Sequence, residues 1–495
     1  MKRIFILTIL CSLISISFAQ WTQKGLDIDG EEAQGFSGRS ISMSDNGNTI
    51  AIGAPYNDGA ATNAGHVRVY EWSGTSWTQK GADIDGEAAE DISGWSVSIN
   101  GDGSTVAIGA EGNDGTANNA GHVRVYDWSG TAWTQKGNDI DGEAAFDFSS
   151  RSISISSDGN TLAIGAPGND NAATWAGNVR IFEWSGTAWT QKGASISGEA
   201  ANDQSGHSVS ISSDGNTIAI GAPYNDGSAS NSGHVRVYQW SGTSWTQQGS
   251  DINGESTNDQ SGSSVSISAD GNTVAIGAPF NGGGGAESGH TRVYRWNGSG
   301  WTQKGSDING EAANDQSGYA VSISADGNTM IIGAPNNSGI GTDAGHARIY
   351  QWDGSSWNQA GTDIDGEDTN DQSGYAVSVN SYGNTVATGA IYNDGGGTWS
   401  GHVRVYQILG VDIEEDNLHQ KISIYPNPSD GIISIDLGQS AEITYLSITD
   451  ILGNCISSGN FPGQFCNLQF DAPSGVYLLN LAFQDTKKTF RIIKK

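Results

Sequence analysis

Residues 77–126 decide the fold: Trp77-Thr78-Gln79-Lys80-Gly81, Asp83-Ile84-Asp85-Gly86-Glu87, Ser96-Val97-Ser98-Ile99, Thr105-Val106-Ala107-Ile108-Gly109-Ala110 and Gly121-His122-Val123-Arg124-Val125-Tyr126. Four of these runs alternate from residue to residue, the period of a strand with one face buried. The same text returns with tryptophans at 21, 77, 133, 189, 245, 301 and 357, always 56 residues apart, so seven units fill 21–412 without an insertion. Self-similarity at a fixed period is the mark of a repeat architecture. Tight turns such as Ser157-Asp158-Gly159-Asn160 link consecutive runs, so each unit reads as one four-stranded antiparallel sheet. Seven such sheets predict an all-β, seven-bladed β-propeller. A solenoid would need atypical capping repeats, and the end units here are ordinary.

The order of runs explains the ends. The array opens on an outer strand, Trp21 to Gly25, and its last unit stops after the third strand at Tyr406. The first strand is therefore expected to complete the seventh blade and close the ring, leaving no free edge. Within a unit, Val97, Ile99, Val106 and Ile108 form an aliphatic face, while Ser96, Ser98, Ala107 and Gly109 form a small one. The small face is expected to continue outward through Arg124, Tyr126 and Trp128. An arginine (Arg124 in this unit) and a glutamate (Glu87) recur in all seven units. A half-buried guanidinium needs a carboxylate, so Arg124 and Glu87 are expected to form a structural ion pair between blades.

The chain has 495 residues, with 71 Gly, 9 Pro and 16 Trp, and a net charge of -31. The stretch 20–412 alone carries 45 acidic against 15 basic residues. Nucleic acid and anionic membranes need clustered Lys and Arg, so neither is an expected partner. Three cysteines exclude a disulfide-dense scaffold. Lys2 and Arg3, an apolar run from Ile4 to Ile16 and Ser17-Phe18-Ala19 read as a secretory signal over 1–19. That run is too short to span a bilayer, so no transmembrane segment is expected. The reading divides the chain into 1–19, the propeller 20–412, an acidic linker 413–420 and a neutral tail 421–495.

Short apolar runs between Gly, Pro and Asn turns make that tail a small immunoglobulin-like β-sandwich. Cys455 and Cys466, the cysteines remaining after signal removal, are expected to pair in an exported protein. Tyr425-Pro426-Asn427-Pro428, Ile448-Thr449-Asp450-Ile451-Leu452-Gly453, Pro473-Ser474-Gly475-Val476-Tyr477 and the closing Phe490 to Lys495 resemble the type A C-terminal sorting domain of the bacterial type IX secretion system. The resemblance implies passage through the outer membrane by that machinery, to the surface or the medium. The repeats resemble the FG-GAP repeat of integrin α-like propellers, with Gly-Ala-Pro at 53–55, 165–167, 221–223, 277–279 and 333–335. Gly109-Ala110-Glu111 and Gly389-Ala390-Ile391 depart from it, and Ser205-Gly206 stands where the family has Phe-Gly. The family's calcium loop cannot be carried over, because the corresponding link is a short Asp-Gly hairpin.

A different acidic loop, Asp83-x-Asp85-Gly86-Glu87-x-x-x-Asp91, offers oxygens spaced to suit Ca²⁺. A hydrogen-bonded turn with an ion pair is the favoured reading, since Ser195 and Ser197 replace two of the acids in one unit and Gly35 another elsewhere. Histidine opens the third strand in six units (66, 122, 234, 290, 346, 402), with Asn178 in the other. One histidine per blade cannot gather around a single zinc, so a structural hydrogen bond is expected.

No nucleophile–base constellation stands out, and no enzyme is expected. The residues that break the repeat carry more. Just before the inner strand stand Arg39, Trp95, Arg151, His207, Ser263, Tyr319 and Tyr375, one per blade at one end of the axis. Trp175 and Trp399 lie in loops on that same end. Variation confined to a ring of aromatic and basic residues predicts a binding face for an extracellular glycan or protein, on a monomer. The alternatives are a polysaccharide-degrading propeller using Arg39, Arg151, His207 and Tyr319, or a passive surface-layer component.

Overall fold

The computed structural model describes residues 21–408 and, in the tail, 423–425, 429, 431–436, 445–450, 455–459, 465–473, 475–482 and 487–494. The expected signal (1–19) and linker (413–420) lie outside the described residues. All regular elements described are strands. They fall into two compact units divided at Ile408 and Leu409.

The first unit is a seven-bladed propeller. In blade 2 the strands Ser93–Ile99, Thr105–Ala110, His122–Trp128 and Trp133–Gln135 lie side by side from the axis outward. A short fifth strand, Ile140–Asp141, also pairs with the third, with His122 opposite Asp141 and Val123 opposite Ile140. Each blade therefore has five strands rather than the expected four. The outer strand breaks at Gly137, which takes φ 81° where an added Cβ would come within 2.8 Å of the Trp184 ring. Only glycine enters that conformation without strain.

The ring closes through the N-terminal strand. Trp21 pairs with Ile408, Thr22 with Gln407 and Gln23 with Tyr406, so blade 7 is built from both ends of the array.

Each gap between blades holds its own core. Ala51, Val67 and Val69 of blade 1 meet Val97, Ile99, Val106 and Ile108 of blade 2. The closing gap sets Ala387, Val403 and Val405 against Met43, Ile50 and Ile52. The aliphatic-on-small packing holds, but its outward course differs from expectation. Register puts Tyr126 opposite Val106 and Arg124 opposite Ile108. Cross-strand partners share a face, so Arg124 and Tyr126 extend the aliphatic face and Val123 and Val125 the small one.

Around the axis, one residue per blade donates its backbone N–H to the next. Asp45 donates to Gly101, Gly101 to Ser157, Ser157 to Ser213, and the chain returns from Ser381 to Asp45, at 2.8–3.2 Å. Seven bonds close this ring. It encircles the end of an axial cavity of about 120 Å³.

In the second unit, a three-stranded sheet (Ser423–Tyr425, Ile432–Asp436, Phe465–Gln469) and a four-stranded sheet (Cys455–Gly459, Tyr445–Asp450, Gly475–Ala482, Lys487–Lys494) share one core of Ile433, Ile435, Leu446, Ile448, Leu479 and Ile492. This is a small β-sandwich. Cys455 carries a free, exposed thiol, and the side chain of Cys466, its expected partner, lies outside the described residues. The strands bearing the two residues belong to different sheets.

Candidate functional site

Two loop families alternate around the end of the propeller opposite the hydrogen-bonded ring. The loop entering each inner strand is stitched to the loop joining the second and third strands of the preceding blade. Ile92 N–H donates to Asn63 O, and Phe36 N–H to Trp399 O. Side chains from neighbouring blades are thereby set against one another at the mouth.

The expected mouth residues divide into groups. The Arg39 guanidinium lies 4.0 Å from the centre of the Trp95 ring and 4.9 Å from that of Tyr375. Arg151 stands 4.7 Å from the Trp95 ring, and Tyr319 packs on Tyr375 at 4.9 Å. Such contacts favour a cation over an aromatic face by about 0.5–2 kcal/mol. His207 does not join the platform: its Nδ1 is sealed from water with no partner among the described residues. Burial, reinforced by the Arg151 charge, pushes that imidazole down to about 3, so it stays neutral.

Trp399 connects to this group through Tyr56 and through Phe36, a residue the sequence reading passed over. It stacks on Phe36 with ring centres 6.4 Å apart, Phe36 meets Tyr56 at 5.3 Å, and Tyr56 meets Trp95 at 6.5 Å. Tyr392 fills the corner, 5.4 Å from Phe36. Trp175 is set apart on blade 3, where it contacts Phe148. Phe36, Ile92 and Phe148 occupy a column that reads Gln204, Gln260, Gln316 and Gln372 in the other blades. That switch from apolar to amide was the available signal.

Trp175 and Trp399 are 42% and 47% exposed, and both take a left-handed backbone with φ near 53° and 55°. Asn63, Asn119 and Asn231 hold the same position elsewhere with φ near 50°. Asparagine tolerates that conformation, whereas a bulky side chain there is strained by about 1–2 kcal/mol. The two tryptophans stand against local backbone preference.

Electrostatically the mouth contrasts with the chain's net charge of -31. Arg39 and Arg151 face one nearby acid, Glu111, which ion-pairs with Arg151 at 3.2 Å and is 9% exposed at its side chain. Burial raises the Glu111 carboxyl while Arg151 lowers it. Glu111 stands where five blades have the proline of Gly-Ala-Pro.

Away from the mouth, Arg124 Nη1 lies 3.5 Å from Glu87, and its Nη2 donates to the Asp85 carbonyl at 2.6 Å. The equivalent arginines all reach a backbone carbonyl of the preceding blade. The four candidate calcium ligands do not share a centre. Asp83 turns to His66 at 3.7 Å, and Glu87 lies against Arg124. Asp91, buried, accepts from the Glu87 and Ala88 amides and from Asn113 Nδ2. It closes the turn on itself. The strand-opening histidines are buried beside carboxylates, and His234, His346 and His402 have neither ring nitrogen hydrogen-bonded among the described residues.

Residues 194–238 and 309–350 match the FG-GAP repeat, and residues 423–495 match the secretion system C-terminal sorting domain. The chain thus carries two stretches of FG-GAP repeat within its propeller and a secretion system sorting domain in its tail. That sorting domain marks export by the secretion machinery to the cell surface or extracellular space. Among solved structures, the FG-GAP propeller is similar to a candidate 6-phosphogluconolactonase from Bacteroides uniformis ATCC 8492, at 10% identity over 67% of this chain and 86% of that one, TM-score 0.47. It is also similar to the periplasmic gluconolactonase PpgL of Pseudomonas aeruginosa, at 11% identity over 66% and 86%, TM-score 0.43. Likeness at this level says nothing of activity. No curated protein matches the chain. Among the described residues, no helix is long and apolar enough to cross a membrane.

Proposed function

We propose that this exported FG-GAP propeller binds an extracellular glycan through its aromatic mouth face, as an adhesion or ligand-binding protein of the cell surface. The observation that carries the reading is the pair of exposed tryptophans, Trp399 and Trp175, held in a backbone conformation that suits asparagine better. Flat rings with hydrogen-bonding neighbours stack on sugar faces, and binding sites gather on loops over a rigid scaffold. A protein ligand is the second reading, supported by the continuity of Trp399, Phe36, Tyr56 and Trp95 across blades 7, 1 and 2.

Binding is favoured over polysaccharide cleavage by the state of the groups that would do acid–base work. His207 titrates far below neutrality, and the Tyr319 phenol is raised by burial and by Tyr375. Neither is matched to proton transfer near neutral pH. A glycan array probed with the exported chain tests the reading. Binding that Trp399→Ala and Trp175→Ala weaken at least tenfold, with no sugar released, supports it. Released product would favour the enzyme, and an array without any captured glycan would favour a protein ligand or a passive surface component.

A further inference from the structure

The strand-opening histidines belong to a repeated side-chain cluster that the mouth reading leaves unused. In blade 4, His234 Nδ1 lies 3.9 Å from Glu199 Oε2 and 3.9 Å from Asp251 Oδ2. In blade 6, His346 Nδ1 lies 4.0 Å from Glu311 Oε2 and 3.5 Å from Asp363 Oδ2. The same trio, one histidine opening the third strand and two carboxylates, recurs in blades 1, 2, 5 and 7, with ligand atoms within 4.8 Å of one another. Hydrogen bonding does not explain it: His234 and His346 are 1% exposed and neither ring nitrogen has a partner among the described residues.

Blade 3 supplies an internal comparison. It has Asn178 for the histidine, and it has Ser195 for the aspartate. The two residues are lost together in one blade and kept together in the other six. Glu143 then accepts a hydrogen bond from Asn178 Nδ2 at 3.2 Å, a direct contact in place of an ion, while Asn178 Oδ1 has no partner among the described residues.

We propose that the six His–Glu–Asp trios are binding sites for a divalent transition cation of the zinc class, one per blade, with none in blade 3. Donors of one tetrahedral ion at about 2.0–2.1 Å stand about 3.4 Å apart, and the separations of 3.5–4.0 Å from Nδ1 lie within a small side-chain rotation of that spacing. One imidazole nitrogen with two carboxylate oxygens is a borderline donor set, suited to zinc rather than calcium. The glutamates, 44–46% exposed in blades 4 to 6, leave an entry path from solvent. Arg236 holds the other Glu199 oxygen at 3.7 Å, so each site keeps one net negative charge toward the cation.

The test uses the exported full chain, stripped with chelator and titrated with Zn²⁺, with Co²⁺ as a spectroscopic probe and Ca²⁺ as a control. The double substitution His234→Asn with Asp251→Ser copies blade 3 and is expected to remove one zinc equivalent. The reverse change in blade 3, Asn178→His with Ser195→Asp, is expected to add one, together with matching cobalt d–d absorption. Because one pair removes and the other adds, a misfolded first variant leaves the second decisive. Cysteines of the tail contribute equally to all variants and drop out of the differences. Zinc stoichiometry unchanged in both pairs, or Ca²⁺ binding the same sites as tightly, overturns the proposal.

Discussion

The Asp45 carboxylate accepts a hydrogen bond from the Ser157 hydroxyl at 3.0 Å, although a whole blade stands between them. The intervening turn offers Gly101, where an added Cβ would lie 2.2 Å from Ser157 Oγ and 2.4 Å from Asp45 Oδ2. The other Asp45 oxygen accepts from Ser381, so one carboxylate ties blades 7, 1 and 3 at the axis.

Gly101→Ala is therefore expected to sever the bond sterically and to destabilise the propeller by about 1–3 kcal/mol, since the partly buried carboxylate loses a partner. Ser157→Ala, which leaves the space open, should cost about 1 kcal/mol. Urea midpoints of the two variants decide this. Equal midpoints would mean that the contact, not the space, is what matters.

Closure of the ring makes a second prediction. Trp21 is 8% exposed in a core with Val377, Val379 and Val386, and its strand covers the edge at Tyr406 to Ile408. Trp21→Ala should lower stability by about 3–5 kcal/mol. Deleting the strand through Gln23 exposes an unpaired edge, so the truncated chain is expected to associate in size-exclusion chromatography where the intact chain does not.

The blade count, the closing strand and the aliphatic-on-small packing were legible because each rests on strict periodicity. A 56-residue interval and alternation of side chains carry that information without any contact being known. What escaped needed register. Whether Arg124 and Tyr126 sit on the aliphatic or the small face depends on their standing opposite Ile108 and Val106, and a one-residue slip reverses the answer. At the mouth, the single column before the inner strand was visible, but Phe36 and Glu111 lay in neighbouring columns. They join the site only through loops stitched between blades. Asp91 looked like a ligand in sequence because nothing there reveals that two backbone amides and Asn113 already satisfy it.

The buried histidines predict a pH dependence with a definite sign. Burial, together with the adjacent Arg292, holds His290 down at about 4, against an ordinary value of 6.5. Between those values the unfolded chain takes up a proton that the folded chain refuses. Stability from this group is complete above about 6.5 and falls as the pH drops toward 4, by up to about 3 kcal/mol. His290→Asn, the residue blade 3 carries, should flatten that fall. The check is the loss of unfolding free energy between pH 7 and pH 4.5, measured with chelator present. Distant carboxylates respond alike in both proteins, so the difference reports His290 together with its acid neighbours Glu255 and Asp307. A variant that falls as steeply as the parent would contradict the assignment.

The exposed tryptophans allow stability and function to be separated at one residue. Trp175 holds φ 53° on a loop where Asn63, Asn119 and Asn231 hold nearly the same angle. Its main ring contact is Phe148 at 6.4 Å, and 42% of its surface is open. Trp175→Asn gives up little packing and relieves the left-handed strain, so thermal unfolding should stay level or rise, by at most about 1 kcal/mol. Affinity for an arrayed glycan should fall in the same protein. A tryptophan kept for packing would behave in the opposite way, lowering stability by several kcal/mol and leaving recognition intact. Only a side chain retained for its exposed face combines unchanged stability with lost binding, the trade-off expected where a ligand site departs from the scaffold's preferred residue.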